Sequence, residues 1–138
     1  MATYRIEFYE DEYGDAPVRR WLREELTLPK RQALGYAMQV VLQRLGIAVC
    51  ETEFGKQLGR GLFEFRLRRD VRDRVSPGKD PGRFLFRVFC HAHGDRLILL
   101  LAGYDKGEHP SPRRQNSEIA LARARLRDWR RRVAPSGP

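Results

Sequence analysis

Residues 62–69, Leu-Phe-Glu-Phe-Arg-Leu-Arg-Arg, decide how this chain is read. Phe63, Phe65 and Leu67 alternate with Glu64, Arg66 and Arg68. A period of two puts the apolar set on one face of an extended strand and the charged set on the other, so one side is expected to be wet. Two more strands follow, over Arg83 to His91 and Arg96 to Tyr104. In the first of these Phe84, Phe86, Val88 and Cys90 share a face, while Arg87 points the other way between Leu85 and Phe89. In the second, Leu97 to Ala102 is a continuous apolar run, the pattern of a central strand covered on both sides. Gly94-Asp95 joins the two, and glycine at the first central position suits a type II′ turn. So short a sheet cannot cover its own apolar face, and the flanking segments have to do it.

Upstream, Tyr4, Ile6 and Phe8 alternate with Arg5, Glu7 and Tyr9, which predicts a first strand near a sheet edge. Asp15 is the expected N-cap of a helix with Pro17 in its first turn and Val18, Trp21, Leu22 and Leu26 on one face. Thr27-Leu28-Pro29 breaks it. A second helix carries Leu34, Met38, Val41, Leu42 and Leu45 at helical spacing, with Gly46 just past its end. Residues 70–82 have the Pro, Gly and charge content of a mobile loop suited to ordering on binding. Gly107 to Pro112 is a connector, and Ser111 or Asn116 starts a last helix with an apolar seam of Ile119, Ala122, Leu126 and Trp129. Ala134 to Pro138 is a frayed tail. The expected architecture is α+β, in the order β-α-α-β-β-β-α: a small, mostly antiparallel sheet packed against a helical hairpin, as one domain over residues 1–138.

The net charge of +9 is unevenly placed. Residues 1–54 carry 7 Lys/Arg against 9 Asp/Glu, residues 55–106 carry 12 against 6, and residues 107–138 carry 8 against 3. A basic sheet and tail on a near-neutral helical half point to a polyanion, most simply nucleic acid. No apolar run approaches the ~18–20 residues of a membrane span, and no signal pattern opens the chain, so a cytoplasmic location is expected. Cys50 and Cys90 read as reduced thiols. His91 and His93 have a spacing compatible with a metal, but only Cys90 and Asp95 lie near as partners, so no metal or other cofactor is expected. Phosphate-loop, dinucleotide and nucleophile-elbow motifs are absent.

The same order of elements coincides with three landmarks: Lys56-Gln-Leu-Gly-Arg-Gly-Leu-Phe-Glu-Phe-Arg66, Phe86-Arg87-Val-Phe, and Leu99-Leu-Leu-Ala-Gly-Tyr-Asp-Lys106. Together they resemble the RelE/ParE toxin superfamily, most closely its phage-derived HigB-like branch, over nearly the whole chain. The resemblance implies the toxin of a type II toxin-antitoxin system, a ribosome-dependent messenger-RNA endonuclease silenced by a cognate helix-turn-helix antitoxin. It implies that Lys56 and Arg60 hold phosphates, that Arg66 and Arg87 sit on the catalytic face, and that Tyr104 and Lys106 close the site. Glu64 stands where RelE itself has a lysine, although Glu is usual in the HigB-like branch, and the chain departs from that branch in having Tyr104 where it often has Phe and Gly107 where a second Lys is common.

Cleaving RNA through its own 2′-hydroxyl needs a base, cations for the phosphorane and an acid for the leaving 5′-oxygen, and it requires no metal. Arginine suits the middle task because its fork matches phosphate oxygens and keeps its charge. Arg66 and Arg87 are the candidates for it. Glu64 is a candidate base, or else the partner of an ordinary ion pair with Arg66 or Arg87; His109 is a second candidate base. Tyr104 either stacks on a nucleobase or packs at the strand end. Arg68, with Arg123 and Arg127 of the last helix, completes the expected RNA-binding set. Two alternatives share the charge pattern: a ParE-like poison of DNA gyrase, and a nucleic-acid-binding module without chemistry.

Overall fold

The computed structural model describes residues 3–69, 81–94 and 96–133. The expected loop over 70–82 therefore lies largely outside the described residues, as do Asp95 of the hairpin turn and the tail from Ala134. The chain opens with β1 (Arg5–Phe8), then α1 (Pro17–Arg20), whose turns widen into a π-helical segment at Trp21–Glu25. Helix α2 (Leu28–Ala37) continues through a second π-helical segment (Met38–Leu42) into α3 (Gln43–Leu45) and a 3₁₀ turn at Gly46–Glu51. Four strands follow, β2 (Gly55–Gly59), β3 (Leu62–Arg69), β4 (Phe84–His93) and β5 (Leu97–Asp105), and α4 (Pro112–Val133) comes last.

These strands form one five-stranded mixed sheet in the order β1-β5-β4-β3-β2. Strand β1 pairs parallel with β5 at one edge, and every other pairing is antiparallel. The class is α+β. Strand β2 is the addition to the expected order: Gly-Lys-Gln-Leu-Gly has no apolar alternation, so nothing in its composition marks it. It is held by its ladder to β3 across a tight turn in which Gly59, Arg60 and Gly61 all have positive φ.

One sheet face packs on the helical hairpin. Val18, Trp21 and Leu22 meet Phe63, Phe65, Phe84, Phe86 and Val88 there, with Leu34 and Leu42 fully buried. Each such leucine contributes ~1.5–3 kcal/mol by leaving water. Trp21 stands edge-on to Phe86 at 5.8 Å, and Gly103 lies against its ring, where a Cβ would approach to 2.8 Å. The other face carries Leu62, Phe89, Leu99, Leu101, Ala102 and Tyr104, covered in part by Ala122 and Leu126 of α4. The seam expected in the last helix thus packs on the sheet, and β5 is covered on both sides.

Four expectations change. Asp15 does not cap α1: the N-cap is Ala16, without a side-chain bond, while the Asp15 carboxylate pairs with Arg20. Thr27, expected only as part of a breaker, caps α2 by accepting from the Lys30 N–H. Leu45 is exposed, because Gly46 at φ +57° turns the chain away before another apolar contact forms. Finally, Leu28–Glu51 is long and apolar enough to cross a membrane by length and composition alone. Its apolar side is occupied, since Leu34, Ala37, Met38, Leu42 and Val49 are buried in the sheet-facing core.

A β-bulge decides what occupies the second face. Phe89 pairs with Ala102 but Cys90 pairs with Leu100, so Leu101 is the extra residue. Leu101 and Ala102, though consecutive, both lie in the α4-side cluster. The alternation resumes beyond them, sending Gly103 to the Trp21 side and Tyr104 to the α4 side.

Candidate nucleic-acid interface

The ladders place three side chains in one row across the second face. Arg66 is the register partner of Arg87, and Arg87 is the partner of Tyr104. Ahead of β2, the Phe54 carbonyl accepts from the Arg66 N–H at 2.7 Å, which sets Phe54 opposite Arg66. The row reads Arg66, Arg87, Tyr104, two cations beside an aromatic, while Phe54, in the turn before β2, packs on the hairpin-side core and reaches the rim of the cleft. Lys56 lies one pair along on the same face, opposite Glu64. A cleft of about 620 Å³ opens over the row, lined by Glu53, Phe54, Arg66, Arg68, Leu85 and Arg87.

Glu64 organises the two guanidiniums. Its Oε2 accepts from Arg66 Nε at 2.6 Å, and its Oε1 is 3.7 Å from Arg87 Nε, an ion pair too long to be a hydrogen bond. The carboxylate is 1% exposed, so the wet charged face expected of this strand is wrong at this position. Burial of one anion between two cations leaves the cluster net positive. Desolvation lowers the Arg87 pKa; Glu64 opposes that shift and Arg66 adds to it. Arg87 nonetheless stays charged at neutral pH because its starting value is so high.

Three buried polar atoms here have no hydrogen-bond partner: Glu64 Oε1, Arg87 Nε and the Tyr104 hydroxyl. Buried polar atoms are normally satisfied, and here Glu64 Oε1 and Arg87 Nε face each other 3.7 Å apart as an ion pair without a hydrogen bond. Tyr104 is fully buried, lies parallel to Phe89 with centroids 6.4 Å apart, and has Arg114 over its ring at 5.4 Å. Of the two readings of this residue, strand-end packing is the one seen. Desolvation, only partly offset by Arg87, raises the Tyr104 pKa and keeps it a neutral phenol.

The end of β5 is fixed by Asp105, which the sequence did not single out. Its buried Oδ1 accepts from the Leu85 and Gly107 N–H groups, and its Oδ2 is 3.1 Å from Lys30 Nζ. The Lys106 N–H donates to the Leu85 carbonyl, so Lys106 stands beside the row at the sheet end. His109 is exposed, with its N–H on the Asp105 carbonyl.

Of the expected site residues, Arg66, Arg68 and Arg87 line the cleft, with Glu64, Tyr104, Lys56 and Lys106 around it. Arg60, Arg123 and Arg127 are not among its lining residues. Arg60 sits at the tip of the β2–β3 turn, and Arg123 donates to the carbonyls of Leu58 and Gly59 at 2.9 and 3.2 Å. Arg127 is exposed on α4. His91 Nδ1 lies 2.7 Å from the Gly61 carbonyl, and the Trp129 ring stands edge-on to both His91 and His93. Burial lowers the His91 pKa, so the ring is neutral and its Nδ1–H donates. This histidine pair therefore serves the docking of α4.

Sequence reasoning missed Glu53, Phe54 and Leu85. The signal for Phe54 is its backbone position opposite Arg66, which becomes legible only once β2 is known to be a strand. No protein-family model, curated protein or solved structure matches this chain.

Proposed function

We propose that this protein is the toxin of a type II toxin-antitoxin system, acting in the cytoplasm as a ribosome-dependent messenger-RNA endonuclease. The observation that carries this reading is the cross-strand pair Arg66 and Arg87, held by one buried carboxylate under a cationic cleft. Such a pair binds the two non-bridging oxygens of a phosphodiester and stabilises the charge that grows on them when the neighbouring 2′-hydroxyl attacks phosphorus, giving its proton to solvent, and the P–O5′ bond breaks with the 5′-oxygen taking a proton from solvent. Arg68 and Lys56 extend the cation track along the backbone. Glu64 is already clasped by Arg66, so its part is to hold the guanidiniums in place.

The described residues offer no activated nucleophile, and positioning is therefore the main task. A ribosome that fixes the RNA in line supplies the orientation that the cleft alone does not. Silencing by an acidic antitoxin segment fits the same charge, since covering the cleft hides the cations. The test is primer extension on a message incubated with the pure protein, with and without translating ribosomes. Cuts that appear only with ribosomes are expected. Rapid degradation of free RNA, or no cuts at all, overturns the proposal. Inhibition of supercoiling by DNA gyrase without any cut would favour the gyrase-poison alternative.

A further inference from the structure

We infer that Phe54 is a stacking platform for one nucleobase and that Glu53 beside it reads the amino edge of that base. The inference rests on RNA occupying the cleft and names the residues that choose among bases there. The Phe54 backbone lies beside that of Arg66, one strand spacing away, about 5 Å, and its side chain lines the same cleft as the Arg66 guanidinium. A nucleotide whose phosphate lies on Arg66 and Arg87 brings its base to that neighbourhood, and an aromatic face is the usual partner for an unpaired base.

The backbone that carries the ring is held before any ligand arrives. The Phe54 N–H donates to Thr52 Oγ1 at 3.0 Å, and the Thr52 hydroxyl donates to the Val49 carbonyl at 2.7 Å. Gly55 lies so close to Val49 that a Cβ there would approach to 2.7 Å, which fixes the turn into β2. Phe54 is half-buried, resting against the hairpin-side core while it lines the cleft. A platform fixed in this way loses little freedom on binding.

Among the described residues Glu53 is the one anion lining the cleft, and it is exposed. Beside three arginines it repels phosphate and admits a hydrogen-bond donor instead. A carboxylate accepts from the exocyclic amine of cytosine, which uracil lacks.

The test measures binding of 2′-O-methyl trinucleotides, which cannot be cleaved, with cytosine, uracil or an abasic sugar at the centre. Wild type is expected to bind the cytosine form roughly 5- to 150-fold more tightly than the abasic form, the range of one stacked base. Phe54→Leu keeps apolar volume and abasic affinity but loses most of that preference. Glu53→Gln narrows the gap between cytosine and uracil, and Arg66→Gln weakens all three ligands together. Thermal melts check that each variant is folded. Equal binding of cytosine and abasic forms to wild type, or a full preference in Phe54→Leu, overturns the platform. If wild type binds none of them yet cuts messages on ribosomes, the platform alone falls. If it neither binds nor cuts, the RNA reading of the cleft falls with it.

Discussion

Arg66 and Arg87 are direct partners across the β3–β4 ladder, two guanidiniums on one sheet face with a single buried carboxylate, Glu64, in contact with both. Like charges directly opposite one another destabilise a sheet. The pair is tolerated because Glu64 neutralises one charge, and the uncompensated charge is what remains for a ligand.

Arg87→Ala is expected to fold normally and to lose about 10²- to 10³-fold in cleavage rate, the usual effect of deleting one preorganised contact to a developing oxyanion. The fold survives because Glu64 keeps its 2.6 Å bond to Arg66. Comparing thermal melts with cleavage on ribosomes separates the two effects, and full activity in a folded variant would remove Arg87 from the site.

Glu64→Gln is expected to cost stability. Breaking a fully buried ion pair costs ~3–5 kcal/mol, but the Arg66 side chain is 34% exposed and can turn to water, so ~1–3 kcal/mol is the expected loss. Urea unfolding of Glu64→Gln, Arg66→Gln and the double variant gives the coupling energy. A stable Glu64→Gln protein with no activity would instead make Glu64 a proton acceptor.

Charge reversal separates the two helix arginines. Arg123→Glu loses two bonds to the β2–β3 turn and sets a carboxylate against the Leu58 and Gly59 carbonyls, so its melting temperature falls. Arg127→Glu, on an exposed site, leaves melting unchanged. If Arg127 reaches ribosomal RNA, its reversal lowers co-sedimentation with ribosomes more at low salt than at high salt.

The far end of α4 is clasped to the end of β1. The Tyr9 hydroxyl donates to Asp128 at 2.6 Å, and Arg132 bonds both Asp128 and the Glu10 carbonyl. The bonds from Tyr9 and Arg132 lower the Asp128 pKa, while desolvation and then the bond to Asp128 raise that of Tyr9. A depressed carboxyl stabilises above its free value and loses that effect as the pH falls; a raised phenol stabilises below its free value and loses it as the pH rises. The clasp therefore holds between about pH 4 and about pH 10. Calorimetry should show the gap in melting temperature between wild type and Asp128→Asn constant at neutral pH and closing below about pH 4.

Periodicity made most of the frame legible. The alternation in 62–69 and 84–90, the helical spacing of Trp21 and Leu22, and the seam of α4 each state which side faces the core, and each packs there, with Leu67, Ile119 and Trp129 only partly buried. What escaped was set by neighbours distant in sequence. Strand β2 exists because β3 pairs with it. The burial of Glu64 goes with its pairing to two arginines, one of them on the neighbouring strand. The bulge hides inside Leu97 to Ala102, where every residue is apolar and no change of face leaves a mark. Phe54 was out of reach for the same reason as β2.

The parallel pairing of β1 with β5 has a consequence for the order of assembly. Strands β2 to β5 follow one another as a meander, so their ladders join segments near in sequence and form early. Phe8 has to wait for Leu100, with both N-terminal helices between them, and that closure is slow because a long loop must be ordered before any contact is made. During synthesis the first strand emerges without its partner and cannot pair until β5 has been made. The sheet is sealed last at β1, the edge away from the arginine row, so the cationic cleft can take shape before the molecule is complete.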